Sequence, residues 1–252
     1  MDGNTDELSS VTKAFRILEL IRDNQSATLT EVATELSLPK STAHRYLSTL
    51  VANEYLVRED DEYRVSYVFL EFANHIRTRN PANSLIEAKV EEIAEEVEEL
   101  AQFIVQEYDR AVYVFQASSG HGVRVGSYAK TFGPLHSTAG GKAILSTWDP
   151  EPVEAFISRS GLPEITADTI TNPDALIEEL DAIRERGYSI NDQENVEGLK
   201  AVSVPVCEPD GRAIGALSVA GPTNRMDETR LQGLSELLLS ASNEVELNLR
   251  LM

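Results

Sequence analysis

Cysteine is almost missing from this chain. Cys207 is the single one in 252 residues, so no disulfide can form within it and a reducing cytoplasm is expected. Lysine is also scarce, confined to Lys13, Lys40, Lys89, Lys130, Lys142 and Lys200. No stretch approaches the roughly 20 apolar residues of a membrane-spanning helix, so no membrane partner is expected. The opening MDGNTDELSS is acidic and lacks an apolar centre, which argues against a secretion signal. His44, His75, His121 and His136 are too scattered for metal-ligand spacing, and neither a metal nor a cofactor is expected.

What the chain does have is acid. There are 42 aspartates and glutamates against 22 lysines and arginines, a net charge of -20. The carboxylates are dispersed rather than gathered in a tail. Such a surface holds hydration while concentrated salt screens its repulsion, so a halophilic origin is expected. Net charge alone argues against nucleic acid as a partner. Local sequence overturns that expectation.

Length suggests roughly two domains, and 42% hydrophobic residues supply real cores. In SVTKAFRILELIRDN the apolar residues Val11, Phe15, Leu18 and Ile21 recur at helical spacing, with Ser10 as the expected cap. TEVATELS reads as a second helix capped by Thr30, with Val32, Ala33 and Leu36 facing inward. After the tight turn LPK, STAHRYLSTLVANE sets Ala43, Tyr46, Leu47, Leu50 and Val51 on one face. YLVREDDEYRVS then reads as two strands around Asp60–Asp61–Glu62. Three helices and a hairpin outline a winged helix-turn-helix.

From Leu36 to Asn53 no acidic residue occurs, although acids crowd both flanks. Lys40, Ser41, Thr42, His44 and Arg45 fall at the start of the third helix, where a recognition helix meets the major groove. Arginine and lysine bond guanine edges or phosphates, and hydroxyls reach either. Arg58 and Arg64 flank the hairpin and are candidate phosphate contacts. Because phosphate contacts weaken steeply with salt, two or more such modules held together are expected.

Beyond Pro81 an acidic helix carries Leu85, Ile86, Val90, Ile93, Ala94 and Val97. QFIVQEY, AVYVFQA, VRVGS, YSIN, AVSVPVC and AIGALSVA are strand candidates. Helical patterns cover 140–148, 150–158, 174–186 and 227–251. The whole is an α+β arrangement around an antiparallel sheet. Tyr113, Phe115, Tyr128 and Phe132 alternate as strand packing would, with pocket lining open to one or two of them.

HSTAGGKAIL, residues 136–145, has the look of a phosphate loop but fails its pattern: His136 stands where glycine is needed, and Ala143 where a hydroxyl is needed. What remains is a run of small residues opening a helix, whose N–H groups suit an anion such as a carboxylate. Taken by themselves, paired glycines opening a helix are more often just a tight entry turn. Asn191, Asp192, Gln193 and Glu194 form a polar loop further on, ahead of a turn at Gly198. As a catalytic alternative, Cys207 with His136 as base is disfavoured, since Cys207 sits among strand residues beside Pro205, where a free cysteine is packed and inert. His136 itself reads as a hydrogen-bonded core residue.

At these residues the chain resembles the IclR-type transcriptional regulators. GPLHSTAGGKAIL is similar to the family's loop motif, and GYSINDQENVEGLKAVSVPV followed by GRAIGALSVAGP to its C-terminal signature. RILELIRDNQSATLTEVATELSLPKSTAHRYLSTLVANEYL is similar to the family's winged helix. The resemblance runs from about residue 10 to 251. It implies a DNA-binding domain over 1–72, a linker over 73–83 and a GAF-like effector domain over 84–252, assembled as a homodimer or a dimer of dimers. It implies double-stranded operator DNA and a small carboxylate effector as partners, and no enzymatic activity. The effector is expected between residues Thr138, Ala139, Gly140 and Gly141 on one side and Asn191 with Asp192 on the other. Asn191 stands where the family has an acid, and Ala201 where it frequently has a cysteine, with Ser203 as the nearest polar substitute. A sensor acting through protein partners without specific DNA binding is the competing expectation.

Overall fold

A computed structural model describes residues 8–119 and 132–251. The strand candidate VRVGS, with His121 and Tyr128, lies outside the described residues. Two compact units divide between Arg79 and Asn80.

In the first unit α1 spans Ser9–Asp23, β1 Ala27–Thr28, α2 Leu29–Glu35 and α3 Lys40–Ala52. β2 (Leu56–Glu59) and β3 (Glu62–Val65) form the hairpin, and α4 covers Phe69–Thr78. Two expected caps are corrected. Ser10 lies inside α1, because the Leu8 carbonyl already accepts the amides of Val11 and Thr12. α2 is capped by Thr28, not Thr30: the Thr28 hydroxyl accepts the Glu31 amide, and the Glu31 carboxylate accepts the Thr28 amide at 2.7 Å. Only Thr28 has a glutamate three residues on, so only it can close this reciprocal box.

Ile17, Ile21, Val32, Ala33, Ala43, Leu47, Leu56 and Tyr63 interlock as one core. The α1 stripe differs from expectation: Ile17 joins Ile21 inside, while Val11 and Phe15 are exposed. β3 pairs with both β1 and β2, and Glu59 faces Glu62, so Asp60 and Asp61 make a two-residue turn. Asp60 takes φ +54°, as such hairpin turns require.

The second unit is built on six antiparallel strands in the order β6-β5-β4-β9-β8-β7. They are β4 (Leu100–Glu107), β5 (Arg110–Ser118), β6 (Phe132–Pro134), β7 (Ser189–Asp192), β8 (Leu199–Cys207) and β9 (Ala213–Pro222). One face carries α5 (Ala82–Val97) and the C-terminal helix α9 (Glu228–Leu251). Val202, Val204, Val206, Leu217 and Val219 point to that side, among Ile86, Val90, Leu234 and Leu238. The opposite face carries α6 (Ala139–Leu145), α7 (Pro150–Ser160) and α8 (Pro173–Arg186), which pack Ile144, Phe156, Leu176 and Leu180 with Ile104 and Ala216 of the sheet. Side chains alternate across a strand, so the α6 face receives Asn191 from β7, Ala201 and Ser203 from β8 and Ser218 from β9. Phe115 and Tyr113, two residues apart, part because a β-bulge between them shifts the β4–β5 register, Phe115 lying near Phe103 on the α5 side and Tyr113 joining the α6 side.

Candidate nucleic-acid interface and effector cradle

The turn before α3 passes through Ser37 at φ +49° and ends on Pro39, whose carbonyl accepts the Thr42 and Ala43 amides. Ala43, Leu47 and Leu50 are buried at i, i+4 and i+7. This anchoring turns Lys40, Ser41, His44 and Arg45 outward, all exposed, with Thr42 half-buried beside them. Two cations thus stand in or just after the first turn of a helix whose free amides also attract anions.

The wing is different. Arg58 Nε donates to the Asp60 carbonyl at 2.9 Å, its guanidinium lies 3.5 Å from Asp61, and it stacks over Tyr63. Arg64 pairs with Glu59 at 2.9 Å and Glu62 at 3.8 Å. Both expected phosphate ligands already hold carboxylates of their own hairpin. Thr42 and Arg45 also border a groove of about 810 Å³ lined by Val11, Phe15, Leu18 and Phe72.

In the second unit the Thr138 hydroxyl caps α6, accepting the Gly141 amide at 3.1 Å while donating to the Pro134 carbonyl. The Ala139 and Gly140 amides lie at the first two helical positions and so lack an intrahelical acceptor. Close packing accounts for both glycines. A Cβ on Gly140 would stand 2.5 Å from Ile104 Cδ1, and one on Gly141 would stand 2.2 Å from the Leu135 carbonyl oxygen.

Asn191 is buried and its side-chain amide donates to the Ser137 carbonyl, which fastens the β7 edge to the segment ahead of α6. Asp192, one residue on, points the other way: it is exposed and bonds Lys200 at 2.8 Å. Strand alternation therefore brings Asn191 to the cradle and removes Asp192 from it. Ala201 faces Asn191 across the ladder. Ser203 is fully buried and donates to the Leu217 carbonyl.

Lys142 binds protein rather than phosphate. Its ammonium is buried, 2.5 Å from Glu194 and 3.6 Å from Glu179, which in turn pairs with Arg186. Burial lifts the Glu194 carboxyl above its ordinary range despite the neighbouring Lys142 charge. His136 is a core residue: burial holds its imidazole below the usual histidine range, with Nε2 3.1 Å from the Pro163 carbonyl. Burial and nearby carboxylates push the Cys207 thiol up to about 11, the opposite of an activated nucleophile. Among the described residues no cluster of histidine, cysteine and carboxylate is arranged to hold a metal, and no helix is long and apolar enough to cross a membrane.

Ser137 was legible only as one of the loop's small residues, and Ser189 and the Lys142–Glu194 pair were not singled out. A signal was present for Ser189, Ser203 and Ser218, which recur as small polar residues at the inward positions of strands otherwise filled with valine and leucine.

Residues 79–247 match the family described as bacterial transcriptional regulator IclR C-terminal, and residues 10–60 match the IclR helix-turn-helix domain. The chain belongs to the IclR family. It is 30% identical to the HTH-type transcriptional regulator KdgR of Escherichia coli (strain K12), over 97% of this chain and 94% of that one. The crystal structure of the Thermotoga maritima IclR superposes with a TM-score of 0.80 at 26% identity, covering 96% of this chain and 99% of the other. An IclR homolog from Microbacterium hydrocarbonoxydans, complexed with 4-hydroxybenzoate, superposes with a TM-score of 0.80 at 25% identity, covering 97% and 100%. This IclR-family chain is a DNA-binding transcriptional regulator with a C-terminal effector-binding domain.

Proposed function

We propose that the chain binds operator DNA as a homodimer, or a dimer of dimers, through the first turn of α3, and that a small carboxylate in the second unit tunes this grip. The supporting observation is the outward placement of Lys40, Ser41, His44 and Arg45 on a helix free of carboxylates, in a chain of net charge -20. Thr42 completes the contact set. Arg58 and Arg64 play a minor part, because an arginine already paired with wing carboxylates must break those contacts to reach a phosphate.

The dimer reading is supported by the apolar groove beside α3. Phe15 and Phe72 are 60% and 51% exposed, with Val11, Leu70 and Ile76 also uncovered, more apolar surface than one small module usually leaves in water. A second copy of α1 and α4 would cover it and hold two reading helices together.

The carboxylate reading rests on the Ala139 and Gly140 amides, flanked by Thr138 and Gly141, with Asn191, Ala201 and Ser203 on the facing strands. The 4-hydroxybenzoate carried by the Microbacterium relative is of this class. An effector shifts operator affinity only by the difference in its affinity for two arrangements of the protein, typically worth about 1–3 kcal/mol. The chain acts by binding and not by catalysis, in the cytoplasm, and its acid-rich surface suits a concentrated-salt interior.

Sedimentation with and without operator DNA tests the assembly. A dimer that Phe15→Glu converts to a monomer with unchanged circular dichroism is expected. A wild-type monomer on and off DNA would remove the dimer from the account.

A further inference from the structure

The hairpin turn between β4 and β5 holds a bulky residue where glycine belongs. Glu107 and Arg110 face each other across the ladder, so Tyr108 and Asp109 make a two-residue turn, with Tyr108 at φ +54°. Turns of this kind favour glycine or asparagine at that point, because a left-handed backbone crowds a larger side chain. The ring recovers little by packing on its own chain, since Tyr108 is 80% exposed. Backbone strain and an aromatic ring in water coincide at one residue, and strain of this sort collects where a chain engages something else.

Beside the tip lies a cavity of about 290 Å³, walled by Phe132, Pro134, Phe156 and Pro163 and bordered by Asp109 and Arg110. It is the size for one ring rather than a larger molecule. His136, also in its lining, is buried, and its Nε2 lies 3.1 Å from the Pro163 carbonyl. A carbonyl only accepts, so the proton sits on Nε2, and Nδ1 is left as an acceptor with no hydrogen bond among the described residues. What answers such a cavity is a ring carrying an O–H, which is the tyrosine side chain. Tyr108 does not enter the cavity of its own chain. Charge agrees with this. Arg159 binds Asp109 through two nitrogens, while among the described residues Glu107 has no cation and Arg110, lying over Phe132, no carboxylate. Two carboxylates and two guanidiniums make the tip neutral in a chain of net charge -20.

We propose that this tip is a contact surface between two copies of the chain, the Tyr108 ring of each entering the cavity of the other and its hydroxyl donating to the other's His136 Nδ1. Knob and cavity lie on one patch, so a two-fold axis satisfies both at once and closes the contact. Glu107 flanks the ring and Arg110 the cavity, so docking also brings each Glu107 toward the other copy's Arg110. It avoids the like-charge approach that most of so acidic a surface imposes. The contact is separate from the α1–α4 groove and does not rest on it. It is small, and so of the weak class that joins dimers as concentration rises.

Sedimentation of the full chain without DNA, from about 1 to about 100 μM, spans contacts of this strength. Wild-type dimers are expected to associate into tetramers within that range, and Tyr108→Ala and Tyr108→Gly to stop at the dimer. Glycine at this φ also relieves the turn, so Tyr108→Gly should melt at or above the wild type, which separates lost contact from lost folding. Tyr108→Phe keeps the ring but leaves His136 Nδ1 unpaired, and should associate about tenfold more weakly. Phe15→Glu, a monomer at the low end, should pair at the high end through the tips alone. A wild type that is monomeric at the low end and pairs at the high end only with Tyr108 in place removes the groove dimer and keeps the tip contact. No association beyond the groove dimer at the highest concentration, or association that Tyr108→Ala and Tyr108→Gly leave unchanged, overturns the tip contact and leaves the groove standing.

Discussion

The ammonium of Lys142 and the carboxylate of Glu194 lie 2.5 Å apart, both sealed from solvent, and join α6 to the loop that follows β7. A buried pair of this kind is weak as a source of net stability but expensive to break from one side. Lys142→Met leaves Glu194 as an uncompensated buried charge and is expected to cost about 3–5 kcal/mol in urea unfolding. Glu194 Oε2 has no hydrogen-bond partner among the described residues, and burial raises the carboxyl above its ordinary value of 4.5, so the folded state holds its proton more firmly than the unfolded chain. The stability linked to that proton is fully present below the unfolded value and lost as pH rises through the folded one. Glu194→Gln, which keeps the neutral shape, should therefore gain on the wild type as pH climbs from 4.5. A parallel pair of stability curves would contradict this.

Two kinds of glycine predict opposite outcomes. Alanine at Gly140 forces Ile104 aside, and alanine at Gly141 collides with the Leu135 backbone, so each should destabilise by roughly 1–3 kcal/mol. Gly233 sits in α9 with no atom of the described residues within 4 Å of an added Cβ beyond the helix's own backbone and its chain neighbours. Gly233→Ala is expected to stabilise by about 0.5–1 kcal/mol. Thermal melts of the three variants give the comparison.

Neighbouring residues of β7 separate by face. Asn191→Ala removes the bond to the Ser137 carbonyl and should weaken carboxylate binding at least severalfold while leaving operator binding of the ligand-free protein intact. Asp192→Ala loses a partly exposed pair with Lys200, worth about 1 kcal/mol or less, and an exposed hydrogen bond from the Gln193 side-chain amide, and should bind the carboxylate like the wild type. Reversed effects in the same titration would put the effector on the outer face of β7.

In the wing, Arg58→Ala and Arg64→Ala should change operator affinity less than about threefold and leave the salt dependence nearly unaltered, since their charges are already matched by Glu59, Asp61 and Glu62. A fall of one unit in the salt slope for either variant would show that it neutralises a phosphate after all.

The elements of the first unit were legible because their signals are local. The helical spacing of Ala43, Leu47 and Leu50 and the Asp60–Asp61 turn between two short strands need no distant partner to be read. The α2 cap was misread because two hydroxyls compete, and only reciprocity with Glu31 distinguishes Thr28 from Thr30, while the N-cap position of α1 is Leu8, which carries no capping side chain. Phe15 was grouped with Ile21 because periodicity marks an apolar face without saying what covers it. The cradle was legible as a loop and opaque as a site. Strand alternation separates Asn191 from Asp192, but which of them turns inward depends on β8 and on Ser137, 54 residues earlier. The order Gln116–Gln102–Ser218–Ser203–Ser189 across the sheet is a product of register between strands, which no single strand records.

Fluorescence anisotropy with DNA from upstream of the chain's own coding region, in competition with unrelated duplex, bears most directly on the claim that α3 reads the operator. The wild type should bind the upstream fragment selectively, and Lys40→Ala with Arg45→Ala should lose roughly 100-fold of that selectivity, each contact being worth about 1–3 kcal/mol. Selective binding that survives both substitutions undiminished would contradict the account.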